Sequence, residues 1–318
     1  MSPLPISAPP RQPESASGYM LRVLSLNGAH VKEAMAYCRT ARSMRPLASD
    51  AELFAELTGV PVAWFHNRLP APHTRDRWRE VDLFGRRWRS AWLLRDLHQQ
   101  VCPVCLREQG IARLEWDLMA YPACHIHKVL LQDMCWSCGR AISPRRPSLE
   151  VCNCGGFIAA ATGETAAIDP ALQAWVAWLS MQLLTDCSAP QPTDLERIAP
   201  QVRGLSPDGA FRLIYSFAGG GKAFCGEQML GGKTWLSSAQ MAGLLRDGLA
   251  ALQAPARGVL LPTKAGTPSA LAEQAEAGVT AWDRAVAARE VRRLKLGRRW
   301  RNAVPRCPQQ QELFEDSL

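Results

Sequence analysis

No apolar run in this sequence approaches the roughly 18 residues that a membrane-spanning helix needs. The first stretch, 1–17, is rich in Pro and Ser and lacks the apolar region of a secretory signal, so it reads as a flexible lead. The protein is therefore expected in the cytoplasm. Motifs of common catalysts are missing too: there is no G-x-S-x-G elbow and no H-E-x-x-H helix. Gly231-Gly-Lys-Thr234 resembles the end of a phosphate-binding loop, but Glu227 stands where that pattern requires Gly, and Gly226 is one residue out of register. No acidic strand end suited to Mg²⁺ follows, so these glycines read as a turn and the chain is expected not to be an enzyme. Internal repeats are absent, and lysine is scarce beside arginine.

What remains is an ordinary globular composition of 318 residues, 47% hydrophobic and 21% charged. The length exceeds the usual size of one core and predicts about two or three structural units. Lys and Arg total 37 against 29 Asp and Glu, a formal net charge of +8. Arginine forks to phosphates and guanine edges as lysine does not. A GC-rich genome gives the same bias, so the placement of the arginines matters more than their number.

Eight of the metal-ligand candidates fall between Cys102 and Cys154 in paired spacing: Cys102-Pro-Val-Cys105, Cys124-His-Ile-His127, Cys135-Trp-Ser-Cys138-Gly139 and Cys152-Asn-Cys154-Gly155. Two ligands separated by two residues can wrap one tetrahedral Zn²⁺, and a following Gly permits the tight turn of a knuckle. Cys102, Cys105, Cys124 and His127 are assigned to a Cys₃His site, and Cys135, Cys138, Cys152 and Cys154 to a Cys₄ site. A cross-braced arrangement, first pair with third, fits the spacing as well. Eight ligands close both coordination spheres, so both zinc ions are expected to be structural rather than catalytic. A disulfide cluster is the rival, disfavoured in a reducing compartment. His127 is preferred to His125 as ligand because its gap from Cys124 repeats that of the other knuckles. Seven zinc thiolates and two dications would bring the net charge of +8 down to +5. Cys38, Cys187, Cys225 and Cys307 lack paired spacing and read as buried or free thiols.

Before this block, Ser49-Asp-Ala-Glu52 has the form of a capping box and leads into Leu53, Phe54 and Leu57. A second apolar run, Val62, Phe65 and Leu69, follows Gly59-Val-Pro61. Two helices so joined form a helix-turn-helix whose second helix presents Trp64, His66, Asn67 and Arg68. Many such pairs serve packing alone. Next comes an arginine-dense stretch with interleaved aromatics: Arg75, Arg77, Trp78, Arg79, Phe84, Arg86, Arg87, Trp88, Arg89, Trp92 and Arg95. Trp88 and Trp92 lie one helical turn apart and are assigned to the core. The arginines are either phosphate contacts or a solvated face.

After the zinc block the pattern is helical. Asp169 is a candidate N-cap with Pro170 at the first helical position, and Leu172, Trp175, Val176, Leu179 and Leu183 make one apolar stripe. Further helices are expected over Ser206–Ser216 and Ser237–Leu252. A Pro/Gly/Thr-rich loop near Pro262–Pro268 precedes one last long helix from about Ser269. It becomes basic at Arg289, Arg292, Arg293, Lys295, Arg298, Arg299 and Arg301, and an acidic end, Glu312, Glu315 and Asp316, follows. Arg292, Arg293, Arg298 and Arg299 are the second set of candidate polyanion contacts, although a charge run is more often a solvated face.

Several of these segments, in this order, resemble the TniQ family: Glu14-Ser-Ala-Ser-Gly-Tyr-Met-Leu-Arg22, the Leu57-Thr-Gly59 helix pair, Cys102-Pro-Val-Cys-Leu106, Arg113-Leu-Glu-Trp116, Cys124-His-Ile-His127, Leu130-Leu131, Cys135-Trp-Ser-Cys138 and Cys152-Asn-Cys-Gly155. The resemblance covers about the first half of the chain, with His125 standing where the family pattern suggests Pro. It implies a bacterial protein that works with a transposase and an AAA+ ATPase regulator to choose insertion sites, either by binding target DNA or by docking on an RNA-guided CRISPR complex, sometimes as a homodimer. The expected architecture is mainly α: a flexible lead (1–17), an N-terminal helix-turn-helix domain (18–98), a tandem zinc-ribbon module with small β elements (99–160), a helical domain (161–255), and a linker, basic helix and acidic tail (256–318). The alternative is a zinc-ribbon, helix-turn-helix regulator of transcription that needs no ATPase.

Overall fold

In the computed structural model the described residues are 3–31, 46–73, 80–89, 93–95, 98–160, 167–184, 193–218, 236–253 and 267–299. The expectations for Arg75, Arg77, Arg79, Trp92, the lone cysteines at 38, 187, 225 and 307, the Gly231 turn and the acidic tail lie outside them. Helices dominate and strands are few and short.

Two apolar cores organise the chain. The smaller is built by α1 (Ala16–Leu26), α2 (Ala51–Thr58) and α3 (Val62–His66), whose Tyr19, Met20, Val23, Phe54, Leu57 and Phe65 interlock. Phe65 is sealed by edge and tilted contacts with Tyr19, Phe54 and Trp64. Helix α2 ends at Gly59, whose φ of 73° supplies the left-handed turn into α3. Its start differs from expectation. Ser49 is exposed, and it is the Asp50 carboxylate that accepts from Leu47 N at 2.9 Å.

Residues 4–15, expected to be a flexible lead, are fastened to this core. Leu4 N donates to Leu57 O at 2.8 Å, Tyr19 Oη to Ala8 O at 2.9 Å, and Arg22 Nη2 to Pro9 O at 3.0 Å. The buried Glu14 carboxylate accepts from Arg22 Nε at 2.7 Å. A Pro-rich segment has few N–H groups of its own but a full set of carbonyls, and here side-chain donors take them up.

The arginine-dense stretch forms strands where helical periodicity was expected. Strand β1 (Ala71–Pro72) pairs antiparallel with β2 (Val81–Leu83), which pairs with β3 (Arg86–Trp88). Phe84 and Gly85, with φ of 56° and 65°, form the tight reversal, a conformation of primed hairpin turns. Val81, Leu83 and Trp88 point into the core, so Trp88 is buried as expected, by strand alternation rather than by helical spacing.

The larger core is continuous from this hairpin through the cysteine block into the second half of the chain. Helix α4 (Pro103–Gln109) and the hairpin of β4 (Ala123–Cys124) and β5 (Val129–Leu130) frame the first cysteine cluster. Helix α5 (Pro170–Leu184) starts on its Asp169 cap, with Leu172 N to Asp169 Oδ1 at 2.9 Å, and buries the stripe anticipated above. Trp175 Nε1 donates to Ala120 O at 2.7 Å, and Ser180 Oγ to the buried Glu115 at 2.6 Å, tying α5 to the cysteine block.

A short α6 (Asp194–Ile198) leads to α7 (Pro207–Phe217) and α8 (Ser238–Gln253), which cross so closely that a Cβ on Gly248 would lie 2.0 Å from Ile214 O. The last long helix is in fact two: α9 (Thr267–Ala277) and α10 (Ala281–Arg299). The break at Gly278 is followed by a new start, in which Asp283 N donates to Thr280 Oγ1 at 3.0 Å and Thr280 N to Asp283 Oδ2 at 2.9 Å. No helix among the described residues is long and apolar enough to cross a membrane.

Candidate metal centres

The first cluster is assembled from two local devices. Cys102 precedes α4 as its N-cap residue, with Pro103 at the first helical position, so Cys105 lies in the first turn, where the helix dipole favours a thiolate. Cys124 ends β4, and the turn to β5 brings His127 back over it, with Lys128 at a φ of 56°. His127 Nδ1 lies 3.5 Å from Cys102 Sγ, 3.2 Å from Cys105 Sγ and 3.6 Å from Cys124 Sγ, and the last two sulfurs are 3.6 Å apart.

These separations have a physical meaning. A tetrahedral zinc with Zn–S near 2.3 Å holds its sulfurs about 3.8 Å apart, and a nitrogen ligand sits slightly closer. A disulfide would need about 2.05 Å. The cluster therefore has the dimensions of a metal cage, and its three cysteines are all buried free thiols.

The second cluster, Cys135, Cys138, Cys152 and Cys154, is built from two knuckles without regular strands. Gly139 N returns to Cys135 O at 2.8 Å and Gly155 N to Cys152 O at 2.9 Å, and both glycines adopt the left-handed φ, 66° and 85°, that the turns require. Cys135 and Cys154 sulfurs are 3.8 Å apart, those of Cys138 and Cys152 4.0 Å, again the edges of a tetrahedron. Within each group all ligand atoms lie within 4.8 Å of one another. The pairing is sequential, first with second and third with fourth, and not cross-braced.

His125 stands outside the first cluster. Its Nδ1 meets Tyr121 Oη, and its backbone N donates to the same hydroxyl at 3.1 Å. Burial pushes the His125 imidazole below its ordinary range. Hydrogen bonds from Cys102 and Cys105 pull the Cys124 thiol down, whereas bonding to Cys102 and Cys124 pushes that of Cys105 up. Crowded thiols of this kind do not all ionise unaided; a dication relieves the conflict by taking the place of their protons.

Sequence reasoning missed three supporting groups. Glu108 Oε2 accepts from His127 Nε2 at 3.0 Å, leaving Nδ1 for the thiols. Arg140 hydrogen-bonds Cys138 and, through its backbone first, draws that thiol down to about 6. Arg146 is buried against the second cluster, with Nε to Leu149 O at 3.2 Å and Nη1 to Ser143 O at 2.9 Å and to Gln99 Oε1. Glu108 was findable: it follows Cys105 by one helical turn and so shares its side of α4.

The candidate nucleic-acid residues are dispersed. His66 and Asn67 are exposed at the end of α3. Arg68 folds back, stacked on Trp64 with its guanidinium 4.5 Å from the ring centre and donating to Glu14 O and Gln12 Oε1, each at 3.2 Å. Arg86 Nε donates to Gln182 O at 3.1 Å, and Arg87 pairs across the hairpin with Asp82 at 3.3 Å. Arg89 meets Glu273 at 3.6 Å. On α10, Arg293 pairs with Glu290 at 2.7 Å while Arg292 is exposed; the side chains of Arg298 and Arg299 lie outside the described residues. The structure thus brings the eight metal candidates together and engages several of the arginines internally.

In comparison with known proteins, residues 5–131 match the TniQ family model. That span contains all four residues of the first cluster and ends before the second. No curated protein matches the chain.

Proposed function

As a chain that belongs through residues 5–131 to the TniQ family, a transposition-associated family, this protein is, we propose, a zinc-structured, non-enzymatic adaptor that selects the target site for DNA transposition. Its partners in this reading are the AAA+ ATPase regulator and the transposase on one side, and target DNA or an RNA-guided CRISPR complex on the other. The observation that carries it is the coincidence of the family match with a complete Cys₃His cage at residues 102–127.

Zinc fits both cages in donor chemistry and in spacing, four ligands each with no position left for water. Bound there, the two ions would fix the shapes of the ribbons and supply no chemistry. The α2–α3 pair supports a helix-turn-helix reading, with His66 and Asn67 as the groups available to DNA. Arg68, held by Glu14 and Gln12, contributes to the fold of that unit and not to base reading. A second helix of five residues, followed by an arginine already bonded to Glu14 O and Gln12 Oε1, favours an adaptor that takes specificity from a partner over one that reads a long operator unaided.

Elemental analysis of the purified chain tests the metal part, with two zinc ions per chain expected. Co-purification with the ATPase regulator tests the adaptor part, and failure of the two to associate with or without DNA would contradict it.

A further inference from the structure

The two cages differ in exposure. In the first, Cys102, Cys105 and Cys124 are fully buried in the main core, and His127 is braced by Glu108. In the second, Cys135 and Cys152 are buried, Cys138 is half-buried and Cys154 is exposed. A Cβ on Gly155 would meet nothing within 4 Å, whereas one on Gly156 would lie 3.2 Å from Cys154 Sγ and 2.7 Å from Ser137 Cβ, so the knuckle is open on its Gly155 side and close-packed on the other. Neighbours of Cys154 Sγ are Cys135 Sγ at 3.8 Å and the Gly156 N–H at 3.4 Å.

Zinc keeps its cysteines as thiolates, the form that attacks peroxides, and exposure decides which of them is reached. On the premise that both cages hold zinc, we infer that the outer cage is a site of oxidative modification by hydroperoxides, and that the inner one is not. The Cys154 thiolate attacks the O–O bond of hydrogen peroxide, forming a sulfenic acid and releasing hydroxide. The Cys135 thiolate then attacks the sulfenic sulfur, forming the Cys135–Cys154 disulfide and expelling a second hydroxide. One peroxide is thereby reduced to two waters once two protons are taken up, and two thiolates are oxidised. Zinc, left with Cys138 and Cys152, dissociates. Residues 102–127 keep their metal because no sulfur there faces solvent. Ile142, Leu149 and Ile158 remain in the main core, so the ribbon loosens at its knuckles without detaching.

The experiment uses the full chain, first shown by elemental analysis to carry two zinc ions, treated with hydrogen peroxide in the presence of a colorimetric zinc chelator. Thiols are then alkylated and mapped by mass spectrometry. The expected result is release of one of the two ions, a disulfide joining the peptides of Cys135 and Cys154, and free thiols at Cys102, Cys105 and Cys124. Reductant plus zinc restores the second equivalent. Loss of both ions together, oxidation first at residues 102–127, or retention of both ions overturns the inference. A chain that takes up fewer than two ions at the outset contradicts the metal reading beneath it as well.

Discussion

His127 holds Glu108 by Nε2 at 3.0 Å while its Nδ1 faces three cysteine sulfurs. A ring so held presents one nitrogen to a metal without searching for its orientation. Glu108→Ala should therefore weaken zinc at the first cage by about tenfold, the low end of the range for such partners, because Glu108 is itself 56% exposed. Competition with a chelator of known affinity measures it, and an unchanged affinity would show that Glu108 only decorates the surface.

Cys138→Ser should remove one zinc per chain and loosen the outer ribbon at its knuckles, since metal binding there is folding energy. Retention of two zinc ions would refute the ligand assignment. Near-ultraviolet dichroism should report the loss through Trp136, whose Nε1 donates to Phe157 O at 2.9 Å across the two knuckles.

The buried carboxylate of Asp283 joins two helix starts, accepting from Ser206 N at 3.0 Å, Ser206 Oγ at 2.7 Å and Thr280 N at 2.9 Å. Asp283→Ala strips the cap of α10 and leaves the half-buried Ser206 donors at the start of α7 without their carboxylate. A loss of about 3 kcal/mol is expected from one cap and two charge-assisted bonds, read from urea unfolding. A loss below about 1 kcal/mol would mean that water replaces the carboxylate.

On α10 the exposed Arg292 and the paired Arg293 make an internal comparison. If this helix contacts phosphates, Arg292→Gln should weaken DNA binding evenly across sequences and reduce the salt slope by about 1, whereas Arg293→Gln should change it less. Equal effects of the two would place the contact elsewhere.

The cysteine block was legible because its chemistry is local: pairs of ligands at fixed spacing and glycines after them determine the knuckles without reference to the rest of the chain. The start of α5 on Asp169-Pro170 was legible for the same reason. Where the reading failed, a distant or weaker signal decided. Trp88 and Trp92 suggested a helical turn, but the reversal at Phe84-Gly85 set a strand, and Phe-Gly is not a usual turn pair. The break between α9 and α10 had a signature, Thr280-Ala-Trp-Asp283 being the capping pattern after Gly278, which a continuous charge pattern concealed. The Pro-rich lead looked free because the donors that hold it, on Tyr19, Arg22 and Arg68, lie in other elements. For the arginines, which the sequence left open between phosphate contacts and a solvated face, the structure adds acids and carbonyls that only folding brings near, such as Glu273 beside Arg89.

The central claim is that this is an adaptor between a targeting partner and an ATPase. It is tested most directly by a salt-controlled binding assay of the zinc-loaded chain, with duplex DNA and the ATPase regulator presented separately and together. The account predicts binding to the ATPase, with weak or sequence-blind affinity for DNA alone. Tight binding to one DNA sequence with no association with the ATPase would contradict it and favour a regulator of transcription.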